Sequence, residues 1–165
     1  MHLASGRYGR RMGIGRGDEA PGFTLPGIDP DGRRDFSLAD HRGRPVVLVF
    51  YPGDNTPVCT QQLTTYTEDI GRFSDVGAQV LAISPQSVDS HAEFSCQNGG
   101  FAFPLLADED RAVGEAYGII GPLGFYRRSV FVVDAEGTVV YVHRAVAGLT
   151  FKPTDELIAA VTTRT

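Results

Sequence analysis

The run VVLVFY, Val46 to Tyr51, constrains this chain more than any other stretch. Six apolar residues in succession, with no polar alternation, read as a strand covered on both faces. Pro52 stops the run, because proline lacks the N–H that a central strand needs. A strand of this kind demands helices on both sides of a sheet. The chain is 165 residues long, enough for one domain with a sizeable core.

The segments that follow supply those layers. From Val58, the residues Cys59, Leu63, Tyr66, Ile70 and Phe73 recur at spacings of four and three, one helical stripe with Cys59 on its sheet-facing side. Ala78 to Ser84 predicts a second buried strand, and Ser87 to Gln97 a helix stopped by NGG. Phe103 to Asp108 reads as a short extended segment before a helix near Arg111 to Tyr117. Ser129 to Asp134 and the TVVYVHR segment make a hairpin around AEG, and TDELIAAV predicts a last helix. Ahead of them, residues 18–45 carry FTL and the turn DPDG, a small hairpin or an irregular lead-in. Parallel crossovers followed by an antiparallel hairpin and a helix describe an α/β fold, a thioredoxin-like sandwich with a central mixed β-sheet flanked by helices.

Composition excludes several classes. The net charge is −5, which argues against a nucleic-acid partner. No stretch is long and apolar enough for a membrane helix. Two cysteines, Cys59 and Cys96, cannot build a disulfide scaffold, a four-cysteine zinc site or a C-x-x-C dithiol. The N-terminus has an Arg10–Arg11 pair but lacks the apolar stretch an export signal needs. Residues 1–17 are read as a flexible basic extension, 18–165 as a single domain, and the compartment as cytoplasmic, where structural disulfides are rare.

One cysteine stands where a helix begins. Thr56 suits the N-cap and Pro57 the first helical position, so Cys59 falls near the third. Unpaired N–H groups and the helix dipole favour the thiolate there, and the same groups could hold an oxygen above the sulfur. The plainer reading is a small buried hydrophobe in the first turn.

YPGDNTPVCT resembles the active-site loop of the peroxiredoxins, P-x-x-x-T-x-x-C after the first core strand, with Pro52, Thr56 and Cys59 at the matching positions. The DNTP wording, SHAEF and FPLLAD are similar to the bacterioferritin comigratory protein, or peroxiredoxin Q, branch, over roughly residues 18–162. That family carries an arginine before a later apolar strand. In YRRSVFVVD the match is Arg128, with Arg127 one register step away. The resemblance implies a peroxidase without metal or haem. Cys59 attacks ROOH and becomes a sulfenic acid, Pro52 shields it, and Thr56, nearby amides and Arg128 hold the two oxygens.

The chain departs from the pattern in two places. A resolving cysteine five residues after the first is ruled out by Thr64, and the Glu common three residues after it is Gln62 here. Other members place the resolving cysteine on the next helix, where Cys96 lies on the side away from the apolar face. Cys96 is therefore read as resolving, with an incidental helix cysteine as the alternative. The implied partners are a peroxide and thioredoxin or a similar thiol reductant. Monomer and homodimer both stay open. A single-cysteine peroxidase recycled by small thiols, and a redox-sensing or holdase protein on the same fold, are the rival functions. His91 is read as a core histidine, Asp54 and Asn55 as turn residues, and Phe125, Tyr126 and Phe151 as packing, with an entrance lining or a dimer contact as the alternative.

Overall fold

The computed structural model describes residues 13–145 and 150–163. Seven strands form one mixed sheet: β1 Thr24–Asp29, β2 Gly32–Ser37, β3 Val46–Phe50, β4 Gln79–Ser84, β5 Leu105–Ala107, β6 Ser129–Val133 and β7 Val139–Arg144, in the order β2-β1-β5-β4-β3-β6-β7. The helices are α1 Pro57–Glu68, α2 Ile70–Asp75, α3 Val88–Gln97, α4 Ala112–Ala116 and α5 Thr154–Thr163.

β3 lies at the centre of the packing, and its alternation feeds two cores. Val47, Val49 and Tyr51 share one face with Cys59, Leu63, Phe94 and Leu157, from α1, α3 and α5. Val46, Leu48 and Phe50 share the other with Val113, Tyr117 and Phe131. All of Val46–Tyr51 is at most 2% exposed, and each large side chain so buried contributes about 1.5–3 kcal/mol. β4 and β6 flank β3, parallel and antiparallel respectively.

The lead-in segment is a hairpin, and it is more than a lead-in. β1 pairs antiparallel with β2 on one side and with β5 on the other, so it extends the main sheet. Gly27 permits that junction, because a Cβ there would lie 2.6 Å from the Leu105 carbonyl oxygen. The stripe from Cys59 to Phe73 is carried by two helices, since the chain breaks at Asp69 between α1 and α2. α3 ends as NGG predicts, with Gly99 and Gly100 at φ 76 and 91 and the Gly100 N–H on the Ser95 carbonyl at 2.8 Å.

The expected extension over 1–17 falls mostly outside the described residues. Of its last part, Ile14 is buried and the Gly17 N–H donates to the Val139 carbonyl at 2.8 Å. Arg144 holds this segment by donating to the carbonyls of Ile14 and Tyr117. Among the described residues, no helix is long and apolar enough to cross a membrane.

Candidate active site

Where β3 ends, Pro52 turns the chain outward and Asn55, at φ 64, turns it back into α1. Thr56 occupies the N-cap with φ −95 and ψ 147, and Pro57 takes the first helical position. Cys59 is third in the helix, and its side chain enters the core with 0% exposure. The Thr56 hydroxyl does not cap the helix, contrary to the sequence expectation. It donates to the Gly53 carbonyl at 3.1 Å, closing the turn on itself. The amides of the first turn are thus not consumed by the residue that the sequence assigns to them.

A second segment reaches the same place from the far end of the chain. β6 runs antiparallel to β3 with Phe50 opposite Ser129, which sets Arg128 beside the end of β3. Arg128 is 4% exposed. Its Nη2 donates to Cys59 Sγ at 3.1 Å and its Nη1 to Gln62 Oε1 at 2.6 Å. Arg127 diverges, its Nε donating to the Ala145 carbonyl at 3.3 Å. The guanidinium fork thus spans two side chains one turn apart on α1, a geometry a lysine ammonium would not reproduce.

The loop that delivers Arg128 is itself held. Asp108 is fully buried and accepts from the amides of Val113 and Gly114 and from the Tyr126 hydroxyl at 2.5 Å. Burial and that bond push the Tyr126 phenol well above its ordinary range, so it stays a donor. Glycine at 114 makes room for the ring, since a Cβ would lie 2.8 Å from Tyr126 Cε1. The Arg127 N–H donates to the Ile119 carbonyl at 2.7 Å, fixing the last step before Arg128.

Beyond Gln62, α1 continues to Tyr66, whose hydroxyl donates to the Lys152 carbonyl at 2.5 Å. Burial pushes the Tyr66 phenol up to about 12, so this bond also persists at neutral pH. Phe151 packs edge-on against Tyr66, with ring centroids 5.9 Å apart. The family resemblance sets Gln62 where a glutamate would orient Arg128, as a residue that can hydrogen-bond without charge, and the two side chains do meet although 66 positions apart. Tyr66 lies on the core stripe, and its bond to Lys152 joins segments that no local spacing connects.

The remaining expected residues are spread around this centre. Pro52 is exposed at the rim, as is Thr56. Cys96 is exposed on α3, and both cysteines are free thiols. His91 is a core histidine, 0% exposed. Asp54 is buried too, which a turn residue need not be. Phe125 is not packing material: it is 66% exposed, close to Leu123 at 84%, whereas Tyr126 is buried.

Comparison with known proteins gives this constellation a lineage. The AhpC/TSA family profile matches residues 16–142. A Mycobacterium tuberculosis protein classed by name among the peroxiredoxins is 44% identical over 131 residues, covering 75% of this chain and 81% of its own. Peroxiredoxin Bcp of Xanthomonas campestris is 37% identical over 131 residues, with the same coverage of 75% and 81%. The chloroplastic peroxiredoxin Q of Oryza sativa subsp. japonica is 38% identical over 132 residues, covering 79% of this chain and 59% of its own. Among solved structures, Mycobacterium tuberculosis AhpC superposes with a TM-score of 0.82 at 23% identity, covering 92% of this chain and 98% of that one. The reduced 2-Cys peroxiredoxin of Plasmodium vivax gives a TM-score of 0.83 at 22% identity, covering 90% and 95%. These structural likenesses carry the thioredoxin-like fold, and the closer sequence relatives carry the branch. The chain belongs to the AhpC/TSA family, on the Bcp and peroxiredoxin Q branch, and is a thiol-dependent peroxidase.

Proposed function

We propose that Cys59 is the peroxidatic cysteine and that it reduces hydrogen peroxide and organic hydroperoxides. The observation that carries this reading is the Arg128 Nη2 at 3.1 Å from a Cys59 sulfur buried in the first turn of α1. A guanidinium and the first turn of a helix meet on this one sulfur, which places hydrogen-bond donors where a peroxide oxygen would accept them.

A lone pair of the thiolate attacks the nearer oxygen of ROOH. The S–O bond forms as the O–O bond breaks, the transferred oxygen keeping its hydrogen on sulfur, and the leaving RO⁻ takes up from solvent the proton the thiol released, departing as ROH. Sulfur is oxidised to the sulfenic acid while the peroxide is reduced. The Thr56 hydroxyl, having donated its hydrogen to Gly53, offers its lone pairs to a peroxide O–H. Arg128 and the first-turn amides face the charge as it shifts from sulfur to the leaving oxygen. Pro52 shapes the rim and limits water. Gln62 holds the second arm of Arg128 without adding a negative charge, so the guanidinium stays directed at the sulfur.

For the second half of the cycle, Cys96 is the proposed resolving thiol. Its exposure on α3 supports this role, because a reductant must reach the disulfide. The Cys96 sulfur displaces the sulfenic oxygen as water, giving a Cys59–Cys96 disulfide that thioredoxin or a similar dithiol reduces. One thiol is buried and the other exposed on a separate helix, and local unwinding near Cys59, near Cys96, or both is the proposed route to their bond. Two free thiols also suit a reducing compartment, and we assign the reaction to the cytoplasm. The test is multiple-turnover peroxide consumption with thioredoxin and its reductase. Wild type should sustain turnover and folded Cys59→Ser should show none. Consumption that stops near one equivalent per subunit would point instead to a sensor.

A further inference from the structure

A second buried polar centre lies beneath the active-site turn, and the chemistry above does not use it. The side chains of Asp54 and His91 are both 0% exposed, with Nδ1 of the imidazole 2.8 Å from Oδ2 of the carboxylate. The other ring nitrogen, Nε2, meets the Leu106 carbonyl at 2.9 Å. A carbonyl only accepts, so Nε2 carries a hydrogen. The Tyr51 hydroxyl donates to Asp54 Oδ1 at 2.8 Å, and the Ser90 hydroxyl to Oδ2 at 2.7 Å. The Asp54 backbone N–H donates to the Gln86 side-chain oxygen. Through this one residue the turn is fastened to the end of β3, to α3, to β5 by way of His91, and to the segment after β4.

What is fastened is the turn that ends in Thr56. Asn55, next in the chain, sits at φ 64, in the left-handed region that asparagine tolerates better than most side-chain-bearing residues. The Thr56 hydroxyl then returns to the Gly53 carbonyl. Asp54 therefore lies inside the loop closed by that bond. Buried polar contacts are a poor route to stability, because apolar packing of the same volume serves as well or better. A carboxylate–imidazole contact at this position, with every polar partner satisfied, defines geometry instead.

We propose that Asp54 and His91 form a buried latch that fixes the Gly53–Thr56 turn, making Asp54 a positioning residue for peroxide attack at Cys59. The latch acts by holding the Thr56 hydroxyl where a peroxide must sit, not by altering the charge on sulfur. This inference rests on the reading of Cys59 as the nucleophile.

The decisive experiment measures the single-turnover rate of Cys59 oxidation by hydrogen peroxide, by competition with a haem peroxidase, in the full reduced chain. Asp54→Ala removes the latch. Asp54→Asn keeps it without charge, since the amide oxygen can accept from Tyr51 and the NH₂ can donate to a neutral imidazole. Asp54→Ala should be slowed about a hundredfold, the scale of an ångström-sized misplacement. Asp54→Asn should recover most of the wild-type rate, and the ultraviolet thiolate absorbance of Cys59 should be the same in all three proteins. A folded Asp54→Ala that reacts at the wild-type rate overturns the proposal, as does an Asp54→Asn as slow as Asp54→Ala. If Asp54→Ala does not fold, Ser90→Ala decides: it keeps its backbone bond to Ser87, so α3 retains its cap. Ser90→Ala should be slowed severalfold, and an unchanged rate overturns the latch. Wild type that leaves Cys59 unoxidised would instead refute the assignment of Cys59 itself.

Discussion

Arg128→Met removes the cation that bonds the Cys59 sulfur while keeping an unbranched stem of similar length. At 3.1 Å, two unit charges in an effective dielectric of about 20 attract by about 5 kcal/mol. Part of that attraction is already present before peroxide arrives, so it is an upper bound on the catalytic loss. The loss of one preorganised donor at a reacting centre costs about 3–4 kcal/mol, or roughly a hundred- to a thousandfold in rate. We expect the second-order rate of Cys59 oxidation to fall within that range. The substitution also deprives Gln62 Oε1 of a donor at 2.6 Å, which should cost about 1–3 kcal/mol of stability. Stopped-flow or competition kinetics on the reduced protein reads the first effect, and thermal melting the second. Arg127→Met is the internal control, because its Nε points to the Ala145 carbonyl. Its rate should stay near wild type. A folded Arg128→Met within tenfold of wild type would show that the guanidinium is structural and that the electrostatic argument is wrong.

Other outcomes follow from the same contacts. Thr56→Val should lower the peroxide rate about ten- to a hundredfold. Its stability should change by about 1 kcal/mol or less, since the hydroxyl bonds the Gly53 carbonyl and not the helix amides; a full-rate variant would remove Thr56 from the chemistry. Cys96→Ser should retain the first, stoichiometric reduction, lose thioredoxin-coupled turnover and over-oxidise more readily to the sulfinic acid. Normal coupled turnover would make Cys96 incidental. Burial raises the phenols of Tyr51, Tyr66, Tyr117, Tyr126 and Tyr141 above the ordinary value of 10.0. The fold favours their protonated forms, so the associated stability is complete below pH 10.0 and is lost as pH climbs from there toward the raised values. The tyrosinate absorbance of these five should therefore rise together with loss of circular dichroism; a gradual titration of more than one of the six tyrosines near 10.0 in the folded protein would contradict the burial argument.

The parts of this molecule that the sequence made legible are those governed by neighbours in the chain. Val46–Tyr51 could be read as a two-faced strand because each residue is apolar, and each is buried. Cys59 could be placed in a first turn because Thr56 and Pro57 precede it. Arg128 was found only through family resemblance, since no local rule says that a residue before β6 will meet α1. Contacts between distant segments stayed hidden. Asp54 looks like any turn aspartate until Ser90 and His91 arrive from α3. Thr56 has good capping chemistry, but the tight turn at Asn55 gives its hydroxyl a nearer carbonyl acceptor. Phe125 misleads for the opposite reason: its hydrophobicity predicts burial, yet the loop carrying it leaves it 66% exposed.

The most direct test of the account is chemical trapping of the first oxidation product. Reduced Cys96→Ser protein is treated with one equivalent of hydrogen peroxide in the presence of dimedone, and the peptides are mapped by mass spectrometry. A sulfenic-acid adduct should appear on the peptide containing Cys59 within the time that peroxide disappears, and none should appear in the folded double variant Cys59→Ser, Cys96→Ser. Peroxide consumed at the same rate with Cys59 unmodified and reduced would contradict it.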